Sequence, residues 1–171
     1  MIRLRKFQDL DAELLITYLN NDDVTKFVTN AIPQPYSKSD AQRWIDHSKN
    51  SEYIRAIEHN GVFIGCISAK RGEFEYSCSA ELGYWVGKRY WNKGLATMAV
   101  EDFTNLIFQS TNIIRLFVSV VSENSASIKV LEKNNFTLEG ILKKASYKNH
   151  QYYDEHLYSK IRTSCSSGSQ N

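Results

Sequence analysis

The stretch from Glu81 to Ile107 changes period in its middle, and that change restricts the folds open to the chain. Glu81–Val86 reads as a buried strand, whereas from Gly94 onward Leu95, Ala99, Phe103, Leu106 and Ile107 recur at helical spacing. A strand that feeds a helix through a short turn leaves backbone N–H groups unpaired at the helix start, with the positive end of the helix dipole behind them. The turn here carries Lys88, Arg89 and Lys93, and small residues at Gly94 and Ala96. It is an anion seat suited to a phosphate or diphosphate, because any larger side chain at 94 or 96 would hold the backbone away from the oxygens. Neither common nucleotide motif is present. The order Lys-Gly after Gly87 fails a Walker A loop, and Gly83 with Gly87 does not fit a dinucleotide fingerprint.

A strand-turn-helix unit needs a sheet to join, and the rest of the chain supplies one. Ile2–Phe7 alternates apolar and basic residues as a short strand. Asp9 is a candidate N-cap for a helix through Asn20, with Leu10, Leu14, Leu15 and Tyr18 on its inner face. A helical turn from Asp22, the loop enforced by Pro33 and Pro35, and a helix from Ser37 to His47 follow; Ser37 and Asp40 have capping-box spacing. Tyr53–Glu58 and Val62–Arg71 flank Asn60-Gly61, the strongest short hairpin signal, and Gly65 inside the second run predicts a bulge or a close backbone approach. Arg115–Val121 is a strand and Asn124 or Ser125 caps the next helix, which ends at Asn134-Asn135 with a left-handed cap. Phe136–Tyr147 and Tyr152–Ile161 are the last two strands. An antiparallel front half followed by strand-helix-strand units predicts a mixed sheet with helices on both faces.

Composition narrows the class. The 171 residues suffice for one domain with a core, and 42% hydrophobic content is that of a soluble globular chain. No apolar run reaches membrane-spanning length, and the alternating N-terminus is not a signal peptide. A net charge of +2 is too small to argue for nucleic acid. Cys66, Cys78 and Cys165 are odd in number and unpaired in spacing, so reduced thiols and a cytoplasmic setting are expected. His47, His59, His150 and His156 lack metal-ligand spacing and read as surface residues.

With this element order, the turn Trp91-Asn92-Lys93-Gly94-Leu95-Ala96 resembles the diphosphate loop, Gln/Arg-x-x-Gly-x-Gly/Ala, of the GNAT superfamily of acetyl-CoA-dependent N-acetyltransferases. Trp91 in place of Gln or Arg is similar to the RimJ/RimL branch, which acetylates protein N-termini. Ala80-Glu81-Leu82-Gly83-Tyr84-Trp85-Val86 and Glu123–Phe136 resemble that branch's fourth strand and fifth-strand-to-helix segment, with Asn135 for the usual Gly. Leu138-Glu139-Gly140, Tyr152-Tyr153-Asp154 and Leu157-Tyr158 match its C-terminal hairpin. The resemblance implies the GNAT fold, an α/β domain over 1–162 with a mostly antiparallel seven-stranded sheet. The polar segment 163–171 is expected to be a disordered tail.

It also implies a set of roles. Acetyl transfer to an amine requires a neutral amine, a polarised thioester carbonyl, a proton for the leaving thiol and alignment. Trp91–Thr97 would hold the diphosphate, and backbone N–H groups near Trp85 and Val86 would face the thioester. Asn124 would bind the pantetheine arm, although an N-cap explains it equally. A catalytic Tyr of many members would fall at Leu131, which has no proton; the RimL-like branch instead implies Ser127 as the acid. That branch's Glu on the sixth strand would fall near Ser146 or Tyr147, so Glu81 is the best remaining base, its pKa raised if buried at the sheet centre. An ion pair is the alternative role for Glu81, and core packing is the default for Tyr84 and Trp85. Tyr36, Trp44 and Tyr147 would line the acceptor groove, and Glu73, Glu75 and Asp154 could attract a cation. No metal is implied. The expected reaction is acetylation of a protein N-terminal amine by direct attack, by a monomer or homodimer, without nucleic acid or membrane. A small-amine acetyltransferase and a weak acyl-CoA-binding module are the alternatives.

Overall fold

A computed structural model describes residues 1–163. The expected tail, from residue 164, and with it Cys165 lie outside the described residues. Seven strands form one sheet: β1 (Ile2–Arg5), β2 (Ile54–His59), β3 (Val62–Arg71), β4 (Ser79–Val86), β5 (Arg115–Val121), β6 (Thr137–Lys148) and β7 (Gln151–Ile161). Their order is β1-β2-β3-β4-β5-β7-β6, and every pairing is antiparallel except β4 with β5. The helices are α1 (Ala12–Leu19), α2 (Asp22–Thr25), α3 (Lys38–Lys49), α4 (Leu95–Ser110) and α5 (Ser125–Lys133).

Strand alternation sorts the core into two clusters, one on each face. Leu15, Tyr18 and Leu19 of α1 and Ala41 and Ile45 of α3 bury against Ala56, Phe63 and Cys66. On the other face Leu95, Ala99, Val100, Phe103 and Ile107 of α4 and Leu131 of α5 bury against Ile67, Ala80, Leu82, Val86, Leu116 and Tyr158. Among the described residues no helix is long and apolar enough to cross a membrane.

Local signals set most element ends. The Asp40 N–H donates to Ser37 Oγ at 3.2 Å while the Ser37 N–H donates to Asp40 Oδ2 at 2.9 Å, the reciprocal bonds of a capping box. Asn60 and Gly61 both take positive φ, 51° and 80°, as a tight hairpin turn requires, and Asn135 closes α5 at φ 60°. Gly65 meets both of its expectations. The β2–β3 register slips beside it, and a Cβ there would stand 2.2 Å from the Trp85 carbonyl oxygen.

The start of α1 departs from expectation. Asp9 does not cap it; a 3-10 turn, Asp9–Asp11, comes first, and Leu10 on that turn is 88% exposed rather than packed. A tertiary ion pair overrides the local signal. The nearly buried Asp11 carboxylate accepts two bonds from Arg5 on β1, both 2.7 Å, and one from the Gln8 N–H at 2.9 Å. A buried carboxylate needs those partners, so the chain turns early to provide them.

The far edge of the sheet is clamped by Glu139. Its carboxylate accepts two bonds from the Arg115 guanidinium and one from Ser159 Oγ, all 2.6 Å, joining β6 to both β5 and β7. Those donors pull its carboxyl down to about 2 from the ordinary 4.5. A folded-state pKa below the unfolded value gives stability that is complete above pH 4.5 and drains away as pH falls towards 2. Glu139→Gln is therefore expected to flatten the loss of Tm over that acid window. An acid limb identical to that of the wild type would refute the clamp.

Candidate active site

β4 and β5 begin together and then separate. Only Ser79, Ala80 and Glu81 pair with Arg115, Leu116 and Phe117. Beyond them β4 stays with β3 as far as Val86, and β5 stays with β7 as far as Val121. A gap opens in the middle of the sheet.

Hydrogen bonds at both ends of β4 decide which backbone groups face that gap. The Gly72 N–H donates to the Ser79 carbonyl at 2.9 Å and the Gly87 N–H to the Ile64 carbonyl at 2.8 Å, so odd-numbered β4 residues bond to β3. The even-numbered amides of Tyr84 and Val86 consequently face the gap. The expected pair, Trp85 and Val86, is thereby divided. The Trp85 amide faces β3 and its indole packs against Tyr18 and Phe63, with ring centroids 6.2 and 6.0 Å away. The Val86 carbonyl is taken by the Trp91 indole N–H at 2.7 Å, which anchors the following loop to the strand.

That loop has the features of an anion seat. Gly94 precedes α4 at φ 73°, with open space where a Cβ would project. The Met98 N–H is the first to bond back, to the Gly94 carbonyl at 3.1 Å, leaving the amides of Leu95, Ala96 and Thr97 free for an oxyanion. No acidic residue lies in the first turn of α4. Asn92 also takes positive φ, 58°, which exposed Asn tolerates. The basic side chains do not all serve the seat: Lys88 pairs with Asp23 of α2, and Arg89 donates to the Tyr18 hydroxyl at 3.0 Å. Lys93, beside Gly94, lies 5.7 Å from the Tyr90 ring.

A cavity of about 800 Å³ reaches from the α1–α3 face into the gap. It collects Ser127 of α5 with its cap Asn124, Glu81 of β4, Trp44 of α3, Tyr147 of β6 and Tyr36 from the loop before α3. Asn124 caps α5, its Oδ1 accepting from the Ser127 N–H at 3.1 Å. Glu81 and Ser127 approach the gap from opposite faces, because odd β4 side chains point to α1 and α3 while even ones point to α4 and α5. Glu81 is exposed on the cavity wall, so the expected burial at the sheet centre does not hold. Glu81 is the last β4 residue paired with β5, and the sheet opens just beyond it. Leu131 is fully buried in the core cluster shared with α4, outside the cavity lining.

Several cavity residues were not singled out from the sequence. Glu155 of β7 adds a carboxylate beside those of Glu81 and Asp40, and its period-2 alternation was legible, but only pairing with β5 brings it here. Tyr84, read as core, sets its hydroxyl 2.6 Å from Ser127 Oγ. Glu73, Glu75 and Asp154 are not in the wall; Asp154 is bound by Lys143 Nζ and the Lys144 N–H, each at 2.9 Å. Cys66 and Cys78 are free thiols, and Cys66 is buried beside the cavity, where burial pushes its pKa up. His156 is not a plain surface residue, for its Nδ1 is buried without a partner among the described residues. Lys148 Nζ donates to the carbonyls of Thr25 and Val28 at 2.7 and 2.6 Å, tying the β6–β7 hairpin to the loop over the cavity.

Residues 2–137 match the acetyltransferase (GNAT) domain family. An N-acetyltransferase of Bacillus licheniformis, the uncharacterized protein p20, is 28% identical across 94% of this chain and 93% of its own. The ribosomal-protein-serine acetyltransferase of Escherichia coli is 34% identical across 67% of this chain and 64% of its own. The microcin C7 self-immunity acetyltransferase MccE, solved with acetyl-CoA and AMP, superposes with a TM-score of 0.81 at 26% identity, across 94% of this chain and 92% of its own. With the seven-stranded sheet, the splayed β4–β5 pair and the open Gly94 turn, these matches identify the chain as an N-acetyltransferase of the GNAT family.

Proposed function

We propose that this enzyme acetylates a primary amine at a protein or peptide N-terminus, with acetyl-CoA as donor and in the cytoplasm. The observation that carries the reading is the gap between β4 and β5, which joins a hydroxyl on one face to carboxylates on the other through one cavity. The similarity to the ribosomal-protein-serine acetyltransferase supports the peptide acceptor. Acetyl-CoA supplies the acetyl group already activated as a thioester.

The chain's own residues divide the remaining work. Leu95, Ala96 and Thr97 amides, with Lys93 nearby, hold the diphosphate, while Gly94 lets the backbone approach. Trp91 and Asn92 shape that turn, and Asn124 stands beside the pantetheine path. The Val86 N–H, aimed into the gap, polarises the thioester carbonyl as charge develops on its oxygen. Ser127 donates a proton to the departing sulfur. Glu81, on the acceptor side, accepts a proton from the incoming ammonium directly or through water. Tyr36, Trp44 and Tyr147 line the acceptor end. Alignment in the gap contributes much of the rate.

Thiol release with a panel of N-terminal peptides, free amino acids and polyamines tests the reading. A Ser- or Ala-starting peptide is expected to exceed every free amine in kcat/KM by at least about tenfold, or about 1.4 kcal/mol. The roof tied by Lys148 is the feature that favours a small acceptor, and faster turnover of a free amino acid would establish that alternative. Tight acetyl-CoA binding with no turnover of any amine would sink the enzyme mechanism. Glu81→Gln is expected to lower kcat by roughly 100-fold with little change in the KM for acetyl-CoA. Should Glu155→Gln carry that loss instead, the base belongs on β7.

A further inference from the structure

We propose that Tyr84 is the positioning residue of the proton-donating end of the site: its phenol holds the Ser127 hydroxyl so that the serine's own proton points into the gap. This rests on the reading of Ser127 as the acid. It also supplies a proton source on a helix whose Leu131 has none.

Geometry holds Ser127 from two sides, Asn124 and Tyr84. Its N–H is held by the Asn124 cap at 3.1 Å, and its Oγ lies 2.6 Å from the Tyr84 hydroxyl, nearer than its carbonyl oxygen, which is 3.3 Å from the same hydroxyl. Among the described residues no other partner reaches Ser127 Oγ. Between the two hydroxyls the donor follows from chemistry. A phenol gives up its hydrogen more readily than an aliphatic alcohol and accepts less well. Burial also pushes the Tyr84 pKa up to about 12, so the phenol keeps its proton at neutral pH. The phenol's single proton goes to the nearer acceptor, Ser127 Oγ at 2.6 Å rather than the carbonyl at 3.3 Å, which leaves the Ser127 O–H free towards the cavity that both residues line.

The proton balance closes along this chain. As the carbon–sulfur bond breaks, its electron pair goes to sulfur and the Ser127 proton follows it there. The Tyr84 proton passes to Ser127 Oγ, and the phenolate regains a proton from water through the cavity. A lone serine is a poor acid; the phenol behind it is a better one. Tyr84 comes from β4, so the unit exists only where the gap lets β4 face α5.

The test compares wild type, Tyr84→Phe, Ser127→Ala and the double variant by thiol release, with the acetyl-CoA-induced rise in Tm measured for each. Tyr84→Phe removes one oxygen and keeps the ring. Ser127→Ala is expected to lower kcat by roughly 100-fold and Tyr84→Phe by roughly 10-fold. Both should leave the KM for acetyl-CoA within about twofold and preserve the Tm rise. The double variant should be no slower than Ser127→Ala, because Tyr84 acts through the serine. Slow Ser127→Ala beside fully active Tyr84→Phe would overturn the Tyr84 role and leave Ser127 as the acid. Multiplying losses in the double variant would also overturn it. A Ser127→Ala enzyme with unchanged kcat would remove both roles together. No Tm rise in the wild type would reject acetyl-CoA as the donor.

Discussion

Gly94→Val is expected to raise the KM for acetyl-CoA by roughly 100-fold and to abolish the CoA-induced rise in Tm, while the apo protein still folds. Two losses act at once. Gly94 holds φ 73° at the start of α4, a conformation that costs a branched side chain roughly 1–2 kcal/mol or more. The larger effect is positional. Nothing of the protein lies within 4 Å of the missing Cβ, so a side chain there would not clash with the fold. It would project into the space in front of the Leu95, Ala96 and Thr97 amides. Hydrogen bonds to a charged group contribute roughly 1.5–3 kcal/mol each, so losing one changes affinity by about 10- to 150-fold. Gly94→Asn separates the two causes, because Asn tolerates the left-handed conformation. It should keep the apo Tm and still bind CoA weakly. An unchanged KM in both variants would remove the diphosphate from this turn.

Gly65→Ala is expected to destabilise the protein by about 3 kcal/mol, near the upper end for an overpacked core. For a chain of this size that lowers Tm by roughly 10 °C. The added Cβ would stand 2.2 Å from the Trp85 carbonyl oxygen and 2.9 Å from the Val86 Cα. Both obstacles are backbone, so no side chain can rotate away, and β4 itself must shift. The expected loss therefore extends to activity, since the displaced stretch carries the Val86 amide and lies next to the Tyr84–Ser127 contact. Gly140→Ala is the control, with nothing within 4 Å of its added Cβ. It should stay within about 0.5 kcal/mol of the wild type. Equal stability of Gly65→Ala and Gly140→Ala would contradict the close approach of β3 and β4.

These two glycines illustrate which signals survive in a bare sequence. A turn that needs a left-handed residue, or a strand position too tight for a Cβ, marks itself with Gly. Caps do the same: Ser37 with Asp40, Asn124 and Asn135 each satisfy neighbouring backbone groups within a few residues. Element order and the left-handed turn at Gly94 rest on such local chemistry, so they were legible. The failures share an opposite cause. Asp9 carried a good cap signal, but Arg5 reached Asp11 and moved the helix start. Glu81 lay on a strand that reads as central, yet the strand beside it departs after Phe117 and leaves the carboxylate open. Lys88 and Arg89 looked available to an anion until Asp23 and Tyr18 engaged them.

The sequence alone determined the strands, the helices and the Gly94 turn at the start of α4, since periodicity, caps and glycine act over a few residues. Only the tertiary structure decided where β4 and β5 part, which amides face the gap and which side chains meet there. Tyr84 and Ser127 are 43 positions apart, and Lys148 reaches a carbonyl 123 positions away. Alternation along a strand assigns a side chain to a face, but not to the strand or helix that will stand opposite it. That is set by register and by where pairing stops, and the candidate chemistry lies at that stop.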